Sequence, residues 1–147
     1  MRVKVKGYSA YADANAIVDD EDKGKLLIKV FQAILAKLDL VKQYIERREY
    51  EKKYEELSRV ITAIEVLNSS LDMSYGEIPH NLSLVYEYLM KRLREVHRSP
   101  DAKSIAECRK ILSEISDGFI AAYESEKKKS LSGNIPQGFS PQKNSWV

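Results

Sequence analysis

His80 and His97 are the only histidines and Cys108 the only cysteine in this chain of 147 residues. Catalytic and metal centres draw first on such side chains, so their placement bounds the chemistry. Neither histidine has a second ligand at metal-binding spacing. Each reads as a surface or helix-end residue, and His97, near a helix C-terminus, is favoured there when charged. A lone cysteine makes no internal disulfide; it implies a reducing compartment and the role of a small apolar filler. Asp19-Asp20-Glu21-Asp22 is an acidic run. It lacks the glycine and terminal glutamate of a calcium loop, and reads instead as the acidic entrance to a helix. Glu77 and Glu87 read as solvated helix carboxylates. The chain has no glycine-rich phosphate loop and no nucleophile elbow. No converging constellation can be assembled from these residues, so the sequence reads as a non-enzyme with no metal and no cofactor.

What remains is apolar and aromatic chemistry, and that depends on helices to display it. The composition, 44% hydrophobic and 31% charged, suits a soluble, charge-rich helical protein of one domain. Lys127, Lys128, Lys129 and Lys143 against Glu126 give residues 125–147 a charge of +3, which leaves −1 on the rest. A near-neutral body argues against nucleic-acid binding, which needs a basic face. No apolar run approaches a membrane span, and the alternating Met1 to Gly7 segment lacks the apolar core of a secretory signal. The expected address is the cytoplasm.

The spacing predicts an all-α protein, an antiparallel up-down four-helix bundle with an N-terminal arm (1–22), a bundle (23–128) and a flexible C-terminal tail (129–147). Helix one is expected over about 23–47. Between Leu26 and Ile45, fourteen of twenty residues are apolar, more than one core stripe uses. Helix two, over about 50–71, carries Tyr50, Tyr54, Leu57, Ile61, Ile64, Asn68 and Leu71 in steps of four and three. Gly76 supplies the positive φ of a sharp turn. Helix three, over about 79–97, repeats Leu82, Val85, Tyr86, Leu89, Leu93 and Val96, leaving Leu84 and Tyr88 off the stripe. Ser99-Pro100-Asp101 reads as an N-cap, a first-position proline and a first-turn acid. Helix four carries Ile105, Cys108, Leu112, Ile115, Phe119 and Ala122, and fades near 124–128. The tail beyond is rich in Ser, Gly, Pro, Asn and Gln, with Phe139 and Trp146 as its isolated aromatics.

The wording around the central turn is more specific than its periodicity. Leu71-Asp72, Gly76-Glu77-Ile78, Asn81-Leu82, Leu84, Tyr86, Tyr88, Met90 and Arg92-Leu93 resemble the most distinctive segment of the FliS family of flagellin export chaperones. The resemblance extends from Tyr8-Ser9-Ala10-Tyr11, Asn15 and Ile17, similar to that family's tyrosine-rich arm, to the Ile105–Phe119 helix. Phe31 stands where the family usually has tyrosine, and Phe119 where it usually has tryptophan.

The resemblance implies a bundle that binds the disordered C-terminal segment of flagellin in a hydrophobic groove. It further implies that premature polymerisation is prevented and the client delivered to a component of the flagellar export gate. On this basis Leu27, Phe31, Ile34, Leu84, Tyr88 and Lys91 are expected on or beside the client surface. Tyr8, Tyr11 and Ile17 are expected to form an arm that covers it. The alternative is a structural or regulatory bundle that uses the same surface to self-associate or to bind another flagellar regulator.

Overall fold

A computed structural model describes residues 20–131. The segments 1–19 and 132–147 lie outside the described residues, and with them Tyr8, Tyr11, Ile17, Phe139 and Trp146. Four helices follow one another: α1 (Asp20–Glu46), α2 (Tyr50–Ser69), α3 (Glu77–Arg98) and α4 (Ala102–Leu131), with a 3-10 turn at Met73–Tyr75 before α3. α1 packs against both α2 and α4, α2 against α3, and α3 more sparsely against α4. Phe31 stacks on Phe119, while Asp39, further along α1, pairs with Arg109, further back along α4. α1 and α4 are therefore antiparallel, and the architecture is the expected four-helix bundle.

The core is set by one stripe from each helix. On α1 it is Leu27, Phe31, Ile34, Leu38 and Val41, in steps of four and three. Each such side chain stabilises the fold by about 1.5–3 kcal/mol when fully removed from water. The Phe31 and Phe119 rings lie 5.3 Å apart and 23° from parallel, buried between α1 and α4. α4 continues the stripe with Ile105, Cys108, Leu112, Ser116, Ala122 and Tyr123. Part of the apolar surplus of α1 lies outside this core: Leu26 is 59% exposed, and Leu40, Ala33 and Ala36 are exposed as well.

The turns explain where the helices stop. After α1, Glu49 N–H donates to Tyr44 O (2.8 Å) and Arg48 N–H to Ile45 O (3.1 Å), with Arg48 at φ +60°. This is a Schellman closure, with arginine in the left-handed position that glycine usually takes. Gly76 has φ +92°, as its place in the sharp turn predicts. Asp72 holds the 3-10 turn by accepting from Ser74 N–H (3.0 Å) and Ser74 Oγ–H (2.6 Å), which keeps its carboxyl below the usual range. At the α4 entrance Asp101, not Ser99, is the cap. Its Oδ1 accepts from Lys103 N–H (2.9 Å) and its Oδ2 from Ser104 Oγ–H (3.0 Å). A carboxylate reaches two donors, whereas Ser99 lies two residues further out, beyond Pro100.

The start of α2 departs from the expected stripe. Tyr50 and Tyr54 are exposed, and Lys53 is buried in their place. The Lys53 ammonium donates to Val96 O (3.1 Å) and His97 O (3.4 Å), closing the C-terminus of α3 from a neighbouring helix. His97 is correspondingly no free helix-end cation. Its ring lies 4.4 Å from that of Tyr54, its Nε2 is 3.5 Å from Ser58 Oγ, and burial together with the Lys53 charge lowers its pKa.

An unfolded His97 binds its proton near 6.5, and the folded one only at lower pH, so in between the unfolded chain holds more protons. The contribution is complete above about pH 6.5 and is lost as pH falls toward the folded value. The melting temperature is expected to drop between about pH 7 and about pH 5. His97→Phe is expected to flatten that limb, as measured by thermal melts across the range.

Candidate functional site

Leu84 and Tyr88 lie four residues apart on α3, so their side chains are neighbours on one helical face. The core stripe of α3 uses Tyr86, Leu89, Met90, Leu93 and Val96. That turns Leu84 and Tyr88 outward, 66% and 44% exposed, with Lys91 exposed one turn on. An exposed leucine alone needs no explanation, but a leucine and a tyrosine in register form a continuous apolar ridge.

The six residues singled out in sequence therefore divide. Leu84, Tyr88 and Lys91 share the outer face of α3. Leu27, Phe31 and Ile34 are buried, because they fall on the α1 stripe that faces the other helices. The large exposed apolar residues of α1, Leu26 and Leu40, are on its outer side.

The ridge is attached to α4 by a polar network. Tyr88 Oη–H donates to Glu107 Oε2 at 2.7 Å. The other carboxylate oxygen of Glu107 accepts from Arg92 Nε (3.1 Å) and Nη2 (3.0 Å). Arg92 also donates to Ser104 Oγ (3.1 Å) and to Glu95 (3.3 Å), and Ser104 in turn donates to Asp101. The hydrogen bonds from Tyr88 and then Arg92 keep the Glu107 carboxyl below its ordinary range, and the same bond to Glu107 pushes the Tyr88 phenol up. The sequence marks Arg92 only as part of the resemblance and gives no sign of Glu107, whose partners Arg92 and Tyr88 lie 15 and 19 residues away on a different helix.

Elsewhere the chemistry is quiet. Cys108 is buried and its thiol is pushed up to about 12 by desolvation, so it stays protonated and packs as an apolar group. A shallow cavity of about 330 Å³ between α1 and α4 is lined by Leu38, Ile105 and Ala106, with Asp39, Lys42 and Arg109 at its rim. Asp39 and Arg109 already neutralise each other there, at 2.7 and 3.2 Å. Among the described residues no three His, Cys, Asp or Glu side chains cluster as metal ligands, and no helix is long and apolar enough to cross a membrane.

Comparison with known proteins adds to the geometry. The family model described as "Flagellar protein FliS" matches residues 5–126. The flagellar secretion chaperone FliS of Bacillus subtilis is 26% identical over 121 residues, covering 82% of this chain and 89% of that one. That of Salmonella typhimurium is 30% identical over 117 residues, covering 77% and 87%. The flagellar secretion chaperone FliSB of Pseudomonas aeruginosa is 30% identical over 105 residues, covering 71% and 83%. With a family match over most of its length, relatives aligned over most of theirs and a bundle of four helices, the chain belongs to the FliS family of flagellar proteins.

Proposed function

We propose that the protein is a flagellar export chaperone. In this reading it binds the disordered C-terminal segment of flagellin in the cytoplasm, keeps it from polymerising early and delivers it to the flagellar export gate. The observation that carries the reading is the exposed Leu84–Tyr88 ridge of α3 on a chain whose relatives are named flagellar secretion chaperones. A disordered client supplies short amphipathic stretches, and such stretches dock on apolar helical faces. Lys91 at the end of the ridge offers the client an ammonium. Leu27, Phe31 and Ile34 support the bundle from within.

The experiment is co-purification of the protein with a flagellin C-terminal peptide, alongside analytical sizing of the protein alone. A one-to-one peptide complex supports the proposal, and dimerisation without peptide binding supports a self-associating or regulatory bundle. That second reading has its own motive in Leu26 and Val66, 59% and 57% exposed on helices that pack against each other.

The arm belongs to the same proposal. Tyr8, Tyr11 and Ile17 cover the client face in the free protein, with Tyr11 as the main anchor. A client must displace the cover, so the measured affinity is reduced by the fraction of covered molecules. Deleting residues 1–18 is expected to strengthen peptide binding and to promote self-association through the uncovered apolar surface. Hydrogen exchange supplies the check: new, strong protection of residues 8–17 on peptide binding would make the arm part of the site and reject the cover.

A further inference from the structure

We infer that Glu107 of α4 is a positioning residue for the client face, fixing the Tyr88 ring as a rigid wall before any client arrives. The inference rests on the client reading of the Leu84–Tyr88 ridge and deepens it. It extends the working site from α3 across to α4, where no residue was expected to take part.

An exposed tyrosine on a lone helix samples several rotamers, and a partner that uses its ring must freeze them at a cost in affinity. Tyr88 is 44% exposed, yet its hydroxyl is held at 2.7 Å by Glu107. Glu107 is not free to follow the ring, since Arg92 grips its second oxygen through two nitrogens, at 3.1 and 3.0 Å. Nor is Arg92 free, because Ser104, itself buried, accepts from it and is bonded onward to the Asp101 cap of α4. The chain of bonds runs from a helix cap through a buried hydroxyl to the exposed phenol. Each link restrains the next, so the ring enters binding with much of its rotamer entropy already lost. Glu107 binds through the phenol's edge, which leaves the ring and the neighbouring Leu84 for an apolar segment of the client. The occupant that fits is an amphipathic stretch of the flagellin C-terminus laying an apolar residue on the Leu84–Tyr88 ridge.

The test is a binding titration of the full chain with a labelled flagellin C-terminal peptide. Glu107→Ala and Tyr88→Phe are each expected to weaken binding about five-fold, the size of one side chain's rotamer cost. The double variant is expected to be no weaker than either single one, because both remove the same restraint. Glu107→Gln, whose amide oxygen still accepts from the phenol but whose amide nitrogen offers Arg92 nothing to grip, is expected to restore part of the affinity lost in Glu107→Ala. Tyr88→Phe leaves the Arg92–Glu107 pair in place, so it separates ring positioning from the stability of the α3–α4 contact. Loss on Glu107→Ala with none on Tyr88→Phe, or additive losses in the double variant, overturns the inference. Leu84→Asp is measured alongside. If it alone abolishes binding, the client face stands and the role of Glu107 is rejected. If it too is without effect, the client face itself is misplaced and the inference goes with it.

Discussion

Replacing Leu84 or Tyr88 by aspartate is expected to weaken binding of a flagellin C-terminal peptide by roughly thirty-fold or more, the threshold of an interface hot spot. The fold is expected to survive. Both side chains are exposed on the outer face of α3, so a carboxylate there stays in water in the free protein. Once the client covers the ridge, that carboxylate must be buried against apolar side chains, and at position 84 no lysine or arginine lies one turn away along α3 to meet it. Leu84→Asp is the sharper of the two, because its side chain is the more exposed and has no hydroxyl network to lose. Circular dichroism melts establish that each variant is folded, and a peptide titration then reads the affinity. Normal binding by both folded variants would place the client surface elsewhere on the bundle.

The second large effect is on stability. Phe31→Ala is expected to cost about 3–5 kcal/mol, the range for deleting a buried aromatic ring. Phe31 is fully buried and stacks on Phe119, so its loss removes its own transfer energy and leaves Phe119 facing a cavity. Against a total stability of about 5–15 kcal/mol for an ordinary domain, such a loss removes a large part of the margin. Urea denaturation measures the loss directly. The comparison with Leu84→Asp separates two kinds of residue: Phe31→Ala is expected to lower stability while its folded fraction binds peptide normally. Weakened binding by fully folded Phe31→Ala, with stability intact, would return Phe31 to the client surface.

What could be read in the sequence follows from how far each signal reaches. Helix spans were legible because the apolar spacing repeats within each helix. Gly76 announced its own turn by residue type, and the end of α1 fell close to its expected place although Arg48 occupies the position where glycine would have marked it. The face of α3 was legible because Leu84 and Tyr88 fall off a clear stripe. On α1 the same reasoning failed to separate core from surface, since fourteen apolar residues in twenty leave no polar side to orient the helix. Contact with α2 and α4 decides it, burying Phe31 and leaving Leu26 out. Lys53 was hidden for a different reason. A lysine beside two tyrosines reads as the solvated member of the three until the carbonyls it meets are known, and those belong to another helix. Glu107 was hidden in the same way.

The lysine that closes α3 also has a place in the order of synthesis. Lys53 precedes Val96 by 43 residues, so on the ribosome the donor is made, and α2 can be largely complete, before its acceptors leave the exit tunnel. The last turn of α3 thus meets a waiting partner rather than having to search for one. Until the two helices dock, the Val96 and His97 carbonyls depend on water. Translation from N- to C-terminus therefore supplies the donor for these carbonyls before the carbonyls themselves. A circular permutant that placed α3 ahead of α2 would reverse that order while keeping every contact.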